Sequence, residues 1–363
     1  MTDNAQREVR TDLGIWWLAF GYFACYAPYA ALTKAVTKGL LPRQVAPLSG
    51  FEILPVSVAA SLIGMFLFMT LKGWWKYATQ WKLGSLSLPR PTFYTTISGI
   101  FTATVVITTT LAYTFTGVSI VFIMLLMRGG VLIIAPITDA VARRKVKTPS
   151  WVGLGLSLAA LFVAEHGGDY RMTVVTVINV AAYLLAYFVR LRLMSRLAKG
   201  EDESANTRYF VEEQMVGTPF LLLVLAVLAL FAPAQLGAHP GDWARFTAGL
   251  RDGFTVFFGR GLQLVAAVIT VGILSQGTGI FGGLILLDKR ENTFCVPVNR
   301  ASSILAGVVA SFSLALFARQ RWPNGWELAG AALVVFAILV LSAPALLAKR
   351  KAAAAAAPLP NEA

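Results

Sequence analysis

Apolar runs of about 20 residues follow one another along the whole chain, and polar residues gather in the gaps between them. The runs are apolar on every face instead of alternating, which predicts helices and argues against strands within them. Ten segments stand out, at residues 13–33, 50–71, 92–115, 118–138, 150–165, 172–191, 209–231, 262–287, 293–317 and 325–347. Apart from the short fifth, each is long enough to cross a bilayer core of about 30 Å. The first is longer than the apolar stretch of a secretory signal and reads as a membrane helix. The expected fold is an all-α membrane protein of ten transmembrane helices. Five spans per half is an odd number, so the halves would have opposite orientation, as in inverted-repeat carriers. The expected units are 1–168 and 169–347, followed by a disordered cytosolic tail at 348–363.

Two arginines interrupt this pattern. Arg128 lies in VFIMLLMRGGVLIIAP and Arg300 in FCVPVNRASSILAGVV. Moving the first half forward by 172 residues places Arg128 on Arg300 and Phe122 on Phe294. A guanidinium in hydrocarbon costs a few kcal/mol (about 2.5–3.5 on the insertion scale), so it usually faces a partner or a wet cavity. Two at repeat-related positions point to a binding site between the halves.

Composition agrees with a membrane setting. Of 363 residues 57% are hydrophobic and 13% charged, against roughly a quarter charged in soluble domains. The net charge of +13 raises the question of nucleic acid, but the basic residues carry no nucleic-acid motif. Their positions fit a topology instead. With the N-terminus in the cytosol, 20 Lys and Arg fall on that side, counting Arg190 at the end of the sixth span with the basic loop residues, and 9 on the other. Both termini are then expected inside, with basic loops against anionic lipid heads at the cytosolic face of the cell membrane. Cys25 and Cys295 read as packing residues. His166 and His239 lack metal-ligand company, and no Walker loop or GxSxG turn is present. No cofactor or metal is implied, and an enzyme is not expected.

The halves also share an order of features. A short turn (Thr116, Gly117; 288–292 in the second half) precedes the arginine-bearing span. Basic residues follow, and then a Gly-rich span after Trp151 or Trp326. On these features, and on Met127-Arg128-Gly129-Gly130-Val131-Leu132-Ile133-Ile134 running to Arg143-Arg144-Lys145-Val146, the chain resembles the drug/metabolite transporter superfamily. The likeness is to its EamA-like and nucleotide-sugar-transporter-like solute carriers. It implies a secondary carrier and leaves the substrate open. Drug-exporter members often carry Gly-Glu where Arg143 and Arg144 stand. The lysine pair of sugar-phosphate antiporters has no counterpart beside Arg300.

Arg128 and Arg300 are the first candidates for substrate binding, through bidentate bonds to a carboxylate or phosphate. The competing role is a structural one, with each arginine neutralised by an acid. Gly129 and Gly130 read as packing glycines. Glu52 opens the second span, and Glu212 and Glu213 open the seventh, its counterpart. Those carboxylates are candidates for coupling or gating, against the plainer role of exposed acids at helix N-termini. Asp139 is expected to pair with the basic turn at 143–147. Further candidates line one helix face each. They are Tyr26 with Tyr22 in the first span, and Asn179, Tyr183 and Tyr187 in the sixth. Asn299 adjoins Arg300. Many span threonines are expected to bond back to their own helices.

The expected function is alternating-access transport of a small polar metabolite, an organic anion or a phosphorylated or nucleotide-linked compound. Two rivals remain at this point: an exporter of amino acids or drugs with internally paired arginines, and a membrane enzyme or lipid-handling protein.

Overall fold

The computed structural model describes residues 2–356 apart from 43, 45, 85, 113–119, 165–173, 200, 201, 203, 237–240, 321 and 324. Among the described residues the helices are α1 (Thr2–Lys38), α2 (Gly50–Leu71), α3 (Phe93–Ala112), α4 (Ile120–Val141), α5 (Thr148–Ala164) and α6 (Val174–Leu197). They continue as α7 (Ala205–Leu230), α8 (Asp242–Thr255), α9 (Leu262–Leu287), α10 (Asn292–Ala318) and α11 (Gly325–Ala356). The described part of each of the ten apolar segments lies on one of them. Five helices, at Gly50–Leu71, Thr176–Leu197, Ala205–Leu230, Leu262–Leu287 and Asn292–Ala318, are long and apolar enough to cross a membrane by length and composition. The fold is that of an all-α membrane protein.

Two elements lie outside the apolar pattern. A hairpin of β1 (Thr79–Leu83) and β2 (Leu86–Arg90) fills the gap between α2 and α3, with Thr79 opposite Arg90. Helix α8 fills the corresponding gap between α7 and α9. Its polar face carries Arg245, Arg251 and Asp252, while Phe246 and Leu250 are buried. The supposed tail is partly helical, because α11 runs on to Ala356. Helix α1 likewise begins at Thr2, well before its apolar run.

The helix ends have local causes. Ser49 accepts from the Phe51 amide and caps α2. Gly73 leaves α2 with φ +62°, a left-handed turn that costs glycine nothing. Arg143 and Arg319 take the same left-handed region after α4 and α10.

Packing crosses between the halves. Helix α1 lies on α9 and α10, while α6 lies on α3 and α4. Helix α2 packs on α9, α7 on α3, and α5 on α11. Small residues allow the closest crossings, as expected where lipid gives no hydrophobic drive between helices. At Gly99 of α3 a Cβ would stand 2.7 Å from Val216 Cβ and 2.9 Å from the Glu213 carbonyl oxygen of α7. Backbone cannot yield as a side-chain tip does. Gly99→Ala is therefore expected to destabilise the protein by about 1–3 kcal/mol, read as an earlier thermal unfolding midpoint in detergent. An unchanged midpoint would show that α3 and α7 are free to part.

Candidate functional site

Arg300 and Arg128 are brought to one group of tyrosines. The Arg300 guanidinium carbon stands 5.1 Å from the centroid of the Tyr187 ring, a cation–π distance. Tyr183 lies one helical turn before Tyr187 on the same helix, α6. The rings of Tyr183 and Tyr187 lie 4.9 Å apart. On α1, Tyr22 stacks on Tyr26 at 5.5 Å, and Tyr26 meets Tyr29 edge-on at 5.7 Å. Arg300 and, more weakly, Arg128 act electrostatically on both Tyr22 and Tyr183. So α1, α4, α6 and α10 converge on one polar cluster inside the bundle.

The glycines after Arg128 explain its placement. A Cβ on Gly130 would fall 2.6 Å from Leu184 of α6, and one on Gly129 would fall 3.4 Å from Leu161 of α5. They are the packing glycines expected, and they draw α4 onto α6 beside the tyrosines. Asn299 belongs to the same group, since its amide nitrogen and the Tyr22 ring both press on Gly282 of α9.

Among the described residues neither arginine has an acidic partner. Among the described residues no ion pair is made by Arg128 or Arg300, and the Nε of Arg300 is buried without a hydrogen-bond partner. The described carboxylates are all engaged elsewhere. Glu52 accepts from Arg260. Glu212 accepts from the Thr79 amide at 2.9 Å, the Thr79 hydroxyl at 2.8 Å, the Thr92 amide at 3.1 Å and the Thr95 hydroxyl at 2.8 Å. Glu213 takes a two-pronged contact from Arg190, with Nε and Nη2 each at 2.9 Å, and accepts also from Ser98 and Thr102. Tyr209 donates to Ser98 behind it. Asp288 holds Arg290, Glu291 accepts from Ser150, and Asp202 and Asp252 pair with Arg208 and Arg251.

Several expectations change with these contacts. The three glutamates are not exposed helix-end acids, because Glu52, Glu212 and Glu213 are all buried. Helix α7 starts at Ala205, so Glu212 and Glu213 lie about two turns inside it. Asp139 does not pair with the basic turn. It accepts from the Asn292 and Thr293 amides at 2.9 and 2.7 Å and caps α10. Arg190, counted among the basic loop residues, is buried in α6 and neutralised. Asn179 is turned away from the cluster, since its amide nitrogen donates to the Thr108 carbonyl of α3 at 2.9 Å.

The bland reading holds for many span threonines. Thr104, Thr108, Thr109 and Thr270 each bond back to a carbonyl four residues earlier. Cys25 packs against Gly277, and Cys295 is a buried free thiol. His166 and His239 lie outside the described residues, as do Thr114, Thr116 and Gly117.

One cavity opens at Arg260, the partner of Glu52, and another at Glu212. The first, of about 450 Å³, is lined by Leu41, Gln44, Leu48, Arg260 and Gln263. The second, of about 280 Å³, is lined by Thr79, Thr92, Tyr94, Arg208, Tyr209 and Glu212. They belong to opposite ends of α2, since Glu52 is in its first turn and Thr79 follows its last, about 30 Å apart for a helix of that length. The arginines line neither.

Arg190 is the functional neighbour that the apolar pattern left unremarked. The tyrosines and glutamates repeat at a second register. Shifted by 161 residues, Tyr22 falls on Tyr183, Tyr26 on Tyr187 and Glu52 on Glu213. The arginines need 172 because the longer α7–α9 connection, which holds α8, intervenes.

Comparison with known proteins reaches the fold and stops there. One solved chain, described only as a crystal structure of a protein, aligns with a TM-score of 0.54 at 14% identity, over 93% of this chain and 98% of its own length. That likeness concerns the fold alone. No protein-family model matches the chain, and no curated protein matches it.

Proposed function

We propose that this protein is a secondary carrier of the drug/metabolite transporter kind, working by alternating access on a small polar organic anion or phosphorylated metabolite. The observation that carries the reading is the pair of guanidinium groups at one tyrosine cluster with no described carboxylate beside them. A buried ion without a partner is strongly unfavourable, and in membrane helices it marks a substrate path by default. The repeat supports the reading as well. The packing of α1 and α2 on α9 matches that of α6 and α7 on α3. The tyrosine pairs recur on α1 and α6, and the arginines on α4 and α10.

The rival exporter, with arginines locked by internal acids, requires a carboxylate that the described acids do not provide. A membrane enzyme would need a polar catalytic cluster near the surface. The polar groups there, Glu52 with Arg260 and Glu212 with its threonines, are satisfied within the protein. The location follows the charge count, with both termini in the cytosol of a cell and basic loops on anionic lipid.

Thermal unfolding of the purified protein against a metabolite panel tests the proposal. A bound ligand raises stability by RT ln(1 + [L]/Kd), about 2.7 kcal/mol at a hundredfold excess over Kd. Anions are expected to raise the wild-type midpoint and to leave folded Arg128→Ala and Arg300→Ala unmoved. Variants that respond as the wild type does would remove the arginines from the site.

A further inference from the structure

The charge carried by the cargo follows from the charge of the cluster. Arg128 and Arg300 bring two positive charges to Tyr22 and Tyr183, and the described acids neutralise neither. The face of Arg300 is taken up by the Tyr187 ring. A tyrosine ring orients a guanidinium and leaves its charge in place. The in-plane N–H groups are where a planar acid binds, and the Nε of Arg300 is buried with no acceptor. Arg190, the nearest further cation on α6, is already compensated by Glu213.

A singly charged ligand would satisfy one arginine and leave the other uncompensated, a state that costs several kcal/mol away from water. A ligand of charge −2 satisfies both. The arginines also occupy equivalent places on α4 and α10, and the tyrosines beside them on α1 and α6. The two donors of the site therefore come from corresponding turns of two helices. We infer that the site selects dianions, taking either a dicarboxylate or a phosphate monoester, with one negative charge for each arginine. This inference rests on the anion-carrier reading and goes further by fixing the charge count.

The test uses matched pairs at pH 8, where a phosphate monoester is fully dianionic. Succinate is compared with succinamate, and glycerol 3-phosphate with its methyl diester, by thermal unfolding of the full chain in detergent. In at least one pair the dianion is expected to act at about tenfold lower concentration than its monoanionic mate, the value of one charge-assisted contact. The pair that responds tells carboxylate from phosphate. Arg300→Gln is expected to bring the two members together, and Arg300→Lys to keep them apart. The wild-type comparison decides the matter even where a variant does not fold. Equal response to both members overturns the charge count and leaves the carrier reading standing. No response of the wild type to any of the four overturns both.

Discussion

Glu213→Ala is expected to be the most damaging single change in the bundle, at about 3–5 kcal/mol. The reason is what it leaves behind. Arg190 would stay buried in α6 with both prongs of its contact gone, and Ser98 and Thr102 would lose their acceptor. The loss should appear as an unfolding midpoint far below that of the wild type, or as failure to accumulate in the membrane. Arg190→Met should cost a similar amount by stranding the carboxylate. The double replacement Glu213→Leu with Arg190→Met should recover most of the loss, because well-packed apolar pairs often equal buried ion pairs. A single variant as stable as the wild type would show that water reaches this pair.

Arg300→Met is expected to behave in the opposite way. Among the described residues Arg300 has no acidic partner to strand, and its Nε is already unsatisfied. Removing it takes away a desolvated charge, so the variant should unfold at or above the wild-type midpoint, by up to about 1–2 kcal/mol. The same change should weaken anion binding about thirtyfold or more, since truncating one side of a buried charge pair costs about 2–5 kcal/mol. Two arginines on helices of the same bundle, at 190 and 300, would thus respond to the same substitution with opposite signs in stability. A large loss of stability in Arg300→Met would mean that the residue is structural and that the site lies elsewhere.

The apolar pattern located the helices because a membrane helix must satisfy its backbone internally and present apolar side chains to lipid. It located the ends less well. Segment limits drawn at the first charged residue stop short of where the helices stop. The sixth segment ends at 191 and the seventh begins at 209, whereas α6 runs to Leu197 past Arg192 and Arg196, and α7 begins at Ala205 ahead of Arg208. Basic residues at these ends lower the hydropathy without ending the helix, so no run of hydropathy marks the limit. Helix α8 was missed for a related reason. Its buried Phe246 and Leu250 fall one turn apart on a single face, and Arg245, Arg251 and Asp252 break up the apolar run. The hairpin at 79–90 was missed because its alternation spans only five residues per strand. Of the site, the arginines were legible as charges in apolar runs. Their lack of acids was not legible, because it depends on where every other carboxylate points.

The insertions between second and third helices leave the two ends of the molecule chemically unlike. At one end Glu52 meets the half-exposed guanidinium of Arg260. At the other, Glu212 is held by two hydroxyls and two backbone amides, none of them charged. Added salt weakens an attraction between ions, where one is partly exposed, more than it weakens bonds to neutral groups. Raising ionic strength therefore loosens the Glu52 contact before that of Glu212, so the two carboxylates answer differently to the medium.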